Sequence, residues 1–179
     1  MSQQKDLINK ALEFKKREKF KDALKILEDL LENEPKSEIV KNTLIEVLFD
    51  YGGYLNDEWV LGYDKAVECF KKIIEIDANN YRAWYNLGIA YFNLNQTEDA
   101  LNAYNRALEI KPDYMYCYYN IGLLFEVNRS DLEKALEYYE KALTYNKDFV
   151  YALQARDMVR RKLDVLKLDN LKQERDRKK

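Results

Sequence analysis

Apolar residues along this chain recur at three- and four-residue steps, and few breakers interrupt them: five Gly and two Pro in 179 residues. That spacing predicts a succession of amphipathic helices. The pattern also repeats. Trp84, Leu87, Gly88 and Tyr91 return 34 residues later as Tyr118, Ile121, Gly122 and Phe125. A large, large, small, aromatic order at this period predicts a helix–turn–helix unit. The third copy continues with Ala100, Tyr104, Ala107 and Pro112. The fourth continues with Ala135, Tyr139 and Ala142, with one extra residue in its inner turn and Lys147 in place of the proline. A first copy is more degenerate: Leu7, Ala11 and Phe14, then Ala23, Leu27, Leu30 and Pro35. In the second, Leu44, Ile45 and Leu48 precede Ala66, Phe70 and Ile73. Leu48 and Ala66 stand 18 apart where the third copy has nine, so nine residues are inserted.

One such unit cannot bury both faces of its helices, whereas stacked units can. The small residues (Ala11 with Ala23, Gly88 with Ala100, Gly122 with Ala135) are expected where paired helices come closest, because a larger side chain would overpack the contact. Ile45 breaks this rule and predicts a splayed second hairpin. Pro35 and Pro112 should end helices, and Ser130 with Glu133 reads as a capping box. The chain reads as one domain, 1–179, with copies over about 4–37, 38–80 including the insertion, 81–114 and 115–149. A capping helix follows over about 150–170, with Ala152, Ala155, Val159, Leu163 and Leu166 inward. A basic polar tail, 170–179, is expected to fray.

At every signature position the third copy resembles the tetratricopeptide-repeat family, and the four copies cover most of the chain. The resemblance implies an all-α fold: a right-handed α-solenoid of four helix hairpins plus a C-terminal capping helix. It also implies a protein–protein interaction module, an adaptor, scaffold or co-chaperone-like protein binding a peptide segment of a partner in a concave groove. The groove positions of this family fall on Arg82, Tyr85, Asn86, Ile89, Phe92 and Asn93 in the third copy. In the fourth they fall on Tyr116, Tyr119, Asn120, Leu123, Glu126 and Val127. The second supplies Ile39, Asn42, Thr43, Glu46, Phe49 and Asp50, and the cap Tyr151, Gln154 and Met158. The peptide-binding set is therefore Arg82, Tyr85, Asn86, Phe92, Tyr116, Tyr119, Asn120 and Tyr151. Tyrosine suits such a face, with a broad apolar body and a polar tip. The competing reading is that these rings only pack between helices. Asn86 and Asn120, one repeat apart, can each donate to and accept from a peptide backbone, or bond within the array. The subtype that clamps a C-terminal carboxylate wants Lys and Asn, then Asn, then Lys and Arg; this chain offers Asn42 and Glu46, then Asn86, then Tyr116 and Asn120. No clamp is expected.

The insertion, roughly 50–63, reads as a loop carrying Tyr51, Tyr54, Leu55, Trp59, Val60 and Leu61. That much apolar surface must dock, on the array itself or, through Trp59, as a secondary contact with a partner.

Charge changes the picture only at the C-terminal end. Net charge is −2, yet residues 156–179 carry ten Lys or Arg against five Asp or Glu, which leaves the remainder at −7. The alternative function follows: a structural subunit or homo-oligomer assembled through the C-terminal helix, where Leu163, Leu166, Leu168 and Leu171 could serve a second helix, or through the 50–63 insertion. An RNA-binding array ranks last, because it needs a basic concave face and the groove positions offer Arg82 against the acidic Glu46, Asp50 and Glu126. The chain has no His, so His-based nucleophile activation is impossible. No phosphate-binding glycine loop occurs; Gly52-Gly53 lacks the pattern. Cys69 and Cys117 show no metal-type spacing and read as packing residues. The chain is thus expected to be no enzyme, to take no cofactor or metal and to bind no membrane. The N-terminus lacks an apolar signal core and no apolar run approaches a membrane span, so a cytoplasmic location is expected.

Overall fold

In the computed structural model, which describes residues 2–57 and 59–177, nine helices follow one another and no strand occurs among the described residues. They group into two compact units divided between Leu94 and Asn95. The first holds α1 (Ser2–Lys16), α2 (Phe20–Asn33), α3 (Glu38–Leu55), α4 (Tyr63–Ile76) and α5 (Tyr81–Asn93). The second holds α6 (Thr97–Ile110), α7 (Met115–Val127), α8 (Leu132–Tyr145) and α9 (Val150–Arg177). Among the described residues no helix is long and apolar enough to cross a membrane.

In each unit the apolar stripes meet in a closed core. Ala11, Ala23, Leu27, Leu44, Phe70 and Ile73 are buried in the first unit, and Ile121, Leu124, Ala135, Tyr139 and Ala142 in the second. The repeat persists at the level of single hydrogen bonds. Trp84 Nε1 donates to the Ala78 carbonyl at 3.0 Å, and its counterpart Tyr118 donates through its hydroxyl to the Pro112 carbonyl at 2.9 Å. Each ring thus ties its helix to the turn that follows the preceding helix.

Close approach of paired helices is set by glycine against an aromatic ring. A Cβ on Gly122 would lie 2.6 Å from Tyr139 Cε1. The Tyr139 ring is fully buried and its hydroxyl donates to Glu126 Oε2 at 2.8 Å, so it cannot move aside cheaply. The second hairpin has the same device at an unexpected place. A Cβ on Gly52 would lie 2.8 Å from Phe70 Cζ, and Phe70 is the sequence counterpart of Tyr139. Gly52, not Ile45, is the small residue there, so the expected splaying is replaced by a close contact. The displacement is seven residues, two helical turns, which returns a side chain to within about 20° of the same face.

Several other expectations are corrected. Half of the segment read as a loop is helix, because α3 continues to Leu55. The cap of α8 is Asp131, whose Oδ1 accepts from Lys134 N at 3.0 Å; Ser130 has φ 52° and lies in the turn. Helix α9 does not end near 170 but runs to Arg177. Leu166 is exposed rather than inward, since α8, at 14 residues, runs out of length to cover it. The side chain of Leu171, and Lys178 and Lys179 of the tail, lie outside the described residues. Each connection within a pair of helices passes through one left-handed residue: Glu18, Leu61, Asn95 and Ser130, with φ between 52° and 59°.

The neighbouring glycines give opposite expectations. Gly52→Ala should lose about 1–2 kcal/mol, overpacking against Phe70 outweighing the better helix former. Gly53→Ala, with nothing within 4 Å of the added Cβ, should gain up to about 1 kcal/mol. Urea melts of the two variants check both signs.

Candidate functional site

The residues assigned to the groove fall in both units. In the first, Arg82 is exposed and its guanidinium lies 5.4 Å from the centre of the Phe49 ring, a cation–π contact. Phe49 in turn tilts against Phe70 at 6.2 Å. Tyr85, Asn86 and Phe92 are half-buried. The Asn86 amide donates to its own helix, Nδ2 to the Arg82 carbonyl at 2.7 Å, so holding a peptide backbone through that donor requires the side chain to turn.

The register of α3 changes which residues belong with this set. Moving the second copy by seven residues keeps Glu46, Phe49 and Asp50 at groove positions. It replaces Ile39, Asn42 and Thr43 with Gly53, Asn56 and Asp57. Asn93 Nδ2 donates to Asn56 Oδ1 at 3.1 Å, which the sequence reading missed. Counting backward from Ala66 and Phe70 by the spacing of the third copy reaches Tyr54, and by that of the fourth Gly53, so the spacing comes within two residues of Gly52 without fixing it.

The carboxylates here are not free. Lys15 of α1 is half-buried and reaches Glu46 at 2.5 Å and Asp50 at 2.8 Å. Those hydrogen bonds, Asp50 first and then Glu46, raise its ammonium pKa above the ordinary 10.5.

In the second unit the structure gathers Tyr116, Tyr119 and Tyr151 around Phe149, a buried residue absent from the sequence-derived set. Ring centres stand 5.3 Å apart for Tyr116–Phe149, 5.4 Å for Tyr119–Phe149 and 5.9 Å for Phe149–Tyr151. Tyr119 also meets Tyr139 at 5.7 Å and Tyr151 at 6.2 Å. Edge-on and tilted contacts at these separations are favourable. The cluster therefore packs helices together, yet Tyr116 is 40% and Tyr151 65% exposed. Both readings of the tyrosines hold at once: Phe149 and Tyr119 form the base of a ledge, Tyr116 and Tyr151 its open edge. Asn120 lies half-buried on the same helix, α7. Beside the ledge, Glu126 accepts from the Tyr139 hydroxyl and from Lys162 Nζ at 2.6 Å. Burial, then the bond to Glu126, pushes the Tyr139 phenol pKa up, so it remains a hydrogen-bond donor.

Trp59 lies in the α3–α4 turn and is 87% exposed. The insertion divides there. Tyr51 and Tyr54 pack on Phe20 with ring centres at 5.2 and 5.7 Å, and Leu55 is buried. Docking on the array holds for that half, while Trp59 and Leu61 face solvent.

Three segments match known repeat families: residues 81–114 and 116–149 match the tetratricopeptide repeat, and residues 62–95 match the TPR repeat. This chain is built of tetratricopeptide repeats. The 62–95 match joins α4 to α5, so the repeat is legible in both phases. Among curated tetratricopeptide relatives, the peroxisomal targeting signal receptor of Candida glabrata is 34% identical over 70 residues, 39% of this chain and 11% of that protein. A TPR repeat-containing protein of Methanocaldococcus jannaschii is 39% identical over 89 residues, 50% of this chain and 15% of that protein. The matched segments thus span 11–15% of these relatives' length. The crystal structure of MamA matches with TM-score 0.65 and 24% identity over 83% of this chain and 81% of that one. The first tetratricopeptide domain of Spaghetti (RPAP3), bound to the HSP90 peptide SRMEEVD, matches with TM-score 0.59 and 25% identity over 67% and 93%. The fold is the helical-repeat fold of those structures.

Among the described residues no group of His, Cys, Asp or Glu could hold a metal ion. Burial pushes the Cys69 thiol up to about 11 and the Cys117 thiol up to about 12, which removes both as thiolate nucleophiles near neutral pH. Neither should be alkylated in the folded protein at about pH 8, and both should be in denaturant; mass spectrometry after iodoacetamide treatment reads this directly.

Lys15→Met should lower stability by up to about 1 kcal/mol near neutral pH. A raised folded-state pKa contributes stability that is present below the ordinary lysine value of 10.5 and lost as pH rises through the raised one. The gap between variant and parent in denaturant midpoint should therefore close on the alkaline side of 10.5.

Proposed function

We propose that this chain is a protein-interaction module that holds a peptide segment of a partner protein, acting as an adaptor or scaffold. One observation carries the reading: two tyrosines, Tyr116 and Tyr151, stand open on a ledge whose base is buried aromatic packing. A rigid ring with an open edge gives a large contact area at little entropic cost. A targeting-signal receptor among the relatives and a peptide-bound tetratricopeptide structure support the same class of function. In the second unit Tyr119 and Asn120 of α7 belong with the ledge; in the first, Arg82, Tyr85, Asn86 and Phe92 of α5 are proposed contacts in their own right, with Trp59 as a secondary contact.

The expected ligand is not an acidic tail. Of the five clamp positions only Asn86 carries the required residue, and in the corrected register of α3 Asn42 and Glu46 give way to Phe49 and Gly53. Lys15 and Lys162 are already engaged, the first by Glu46 and Asp50 and the second by Glu126. An uncharged, apolar-rich segment suits the ledge. A non-catalytic role is supported by the lack of His and the buried thiols. A cytoplasmic setting is supported by two unpaired cysteines. Self-association through α9 is a second reading, favoured by the exposure of every described side chain from Asp164 onward.

Selection from a displayed random-peptide library tests the main reading. Enriched peptides should be apolar-rich. Their affinity should fall at least about tenfold on Tyr116→Ala with Tyr151→Ala, with melting temperature little changed. An acidic peptide such as SRMEEVD should not compete. Enrichment of peptides indifferent to both substitutions, or micromolar binding of the acidic peptide, would overturn the assignment.

A further inference from the structure

The second half of α9 has little cover among the described residues. Its first half packs through Ala152, Val159 and Leu163, all buried. From Asp164 to Arg177 every described side chain is exposed, about 20 Å of helix at 1.5 Å per residue. A helical stretch of that length is marginal in water without tertiary contacts. Nor is this one polar all round. Met158, Val165 and Leu166 are 53%, 56% and 52% exposed. With Leu132, Arg161 and Lys162 they line an open trough of about 550 Å³. Met158, Arg161, Lys162, Val165, Asp169 and Lys172 recur at three- and four-residue steps, so they share one face of the helix, a seam of apolar residues flanked by charges.

We propose that this seam is a dimerisation surface, and that α9 of a second copy of this chain lies along it antiparallel, centred on Val165. The inference rests on the self-association reading and adds orientation and register to it. Charge decides between orientations. In a parallel pair every seam residue meets itself, so Arg161 faces Arg161 and Lys162 faces Lys162, which is repulsive. In an antiparallel pair, Arg161 and Asp169 stand four residues to either side of Val165. A two-fold axis through Val165 brings Arg161 of each copy opposite Asp169 of the other, two complementary pairs from one surface. Lys162 then lies beside Leu168 of the second copy, and the stem of Lys172 covers Met158. Both charges are available. Arg161 forms no ion pair among the described residues, and Asp169 has only an exposed contact with Lys172 at 3.3 Å, a kind worth little. A self-complementary seam fits a copy of itself better than a uniformly acidic helix, which Asp169 would repel.

Sedimentation velocity across the micromolar range tests this on the full chain. The parent should dimerise. Val165→Cys, folded by circular dichroism, should form an intermolecular disulfide at that position on mild oxidation, the native thiols being buried. Arg161→Asp and Asp169→Arg should each weaken the dimer by roughly tenfold, and combining them should restore it. A monomer at every concentration would refute the association and the register together. A dimer without that cross-link, or a double variant no tighter than the singles, would refute the register alone. Association only with an acidic helical peptide would replace the second copy by a different protein.

Discussion

A ring edge pressed against a glycine is the constraint on which the second and fourth hairpins depend. Gly122 under Tyr139 and Gly52 under Phe70 leave no room for a methyl group. Helices that approach this closely bury their aromatic residues completely, and full burial is where apolar area stabilises most. Tyr139 shows how a polar group is accommodated in the same contact. Its hydroxyl would be a buried orphan without Glu126, and Glu126 would be a poorly solvated carboxylate without Lys162. Packing in one hairpin is therefore linked to an ion pair with the next helix.

That linkage also positions the candidate site. Tyr119 touches Tyr139 on one side and Phe149 on the other, so the ledge carrying Tyr116 and Tyr151 grows out of the hairpin core rather than lying on top of it. The first unit has a comparable chain of contacts, from Phe70 through Phe49 to Arg82. In each case an exposed group is held by an aromatic whose far side is core. Such a surface presents contact area without first having to be ordered, which spares part of the entropy that recognition costs.

Much of the fold was legible because the 34-residue period fixes the residue types that touch. Trp84 and Tyr118 make equivalent hydrogen bonds, and the Gly122–Tyr139 contact follows from one period of the pattern. The second hairpin was misread because the signature spacing occurs twice along α3. Leu44, Ile45 and Leu48 have the spacing of the signature, and a helix lengthened by two turns repeats that spacing seven residues later at Tyr51, Gly52 and Leu55. Only the partner helix distinguishes the two, since Phe70 requires a glycine opposite. Phe149 was missed for a related reason: it precedes its helix, outside the periodic positions, and its burial arises from Ala142, Leu143 and Ala152 together with tyrosines of α7. Ser130 had the right type for a cap, but the turn takes it through a left-handed conformation and leaves Asp131 at the helix start.

The left-handed turn residues have a consequence for the denatured chain. Four reversals place no glycine at their left-handed position, which is taken by Glu18, Leu61, Asn95 and Ser130. Glycine would adopt that backbone without strain, but it would also widen the ensemble from which folding begins. Side-chain-bearing residues reverse the trade, accepting local strain in the native state for a smaller loss of freedom in reaching it. The exchange is least favourable at Leu61, where a branched apolar side chain is both twisted into that region and left facing water.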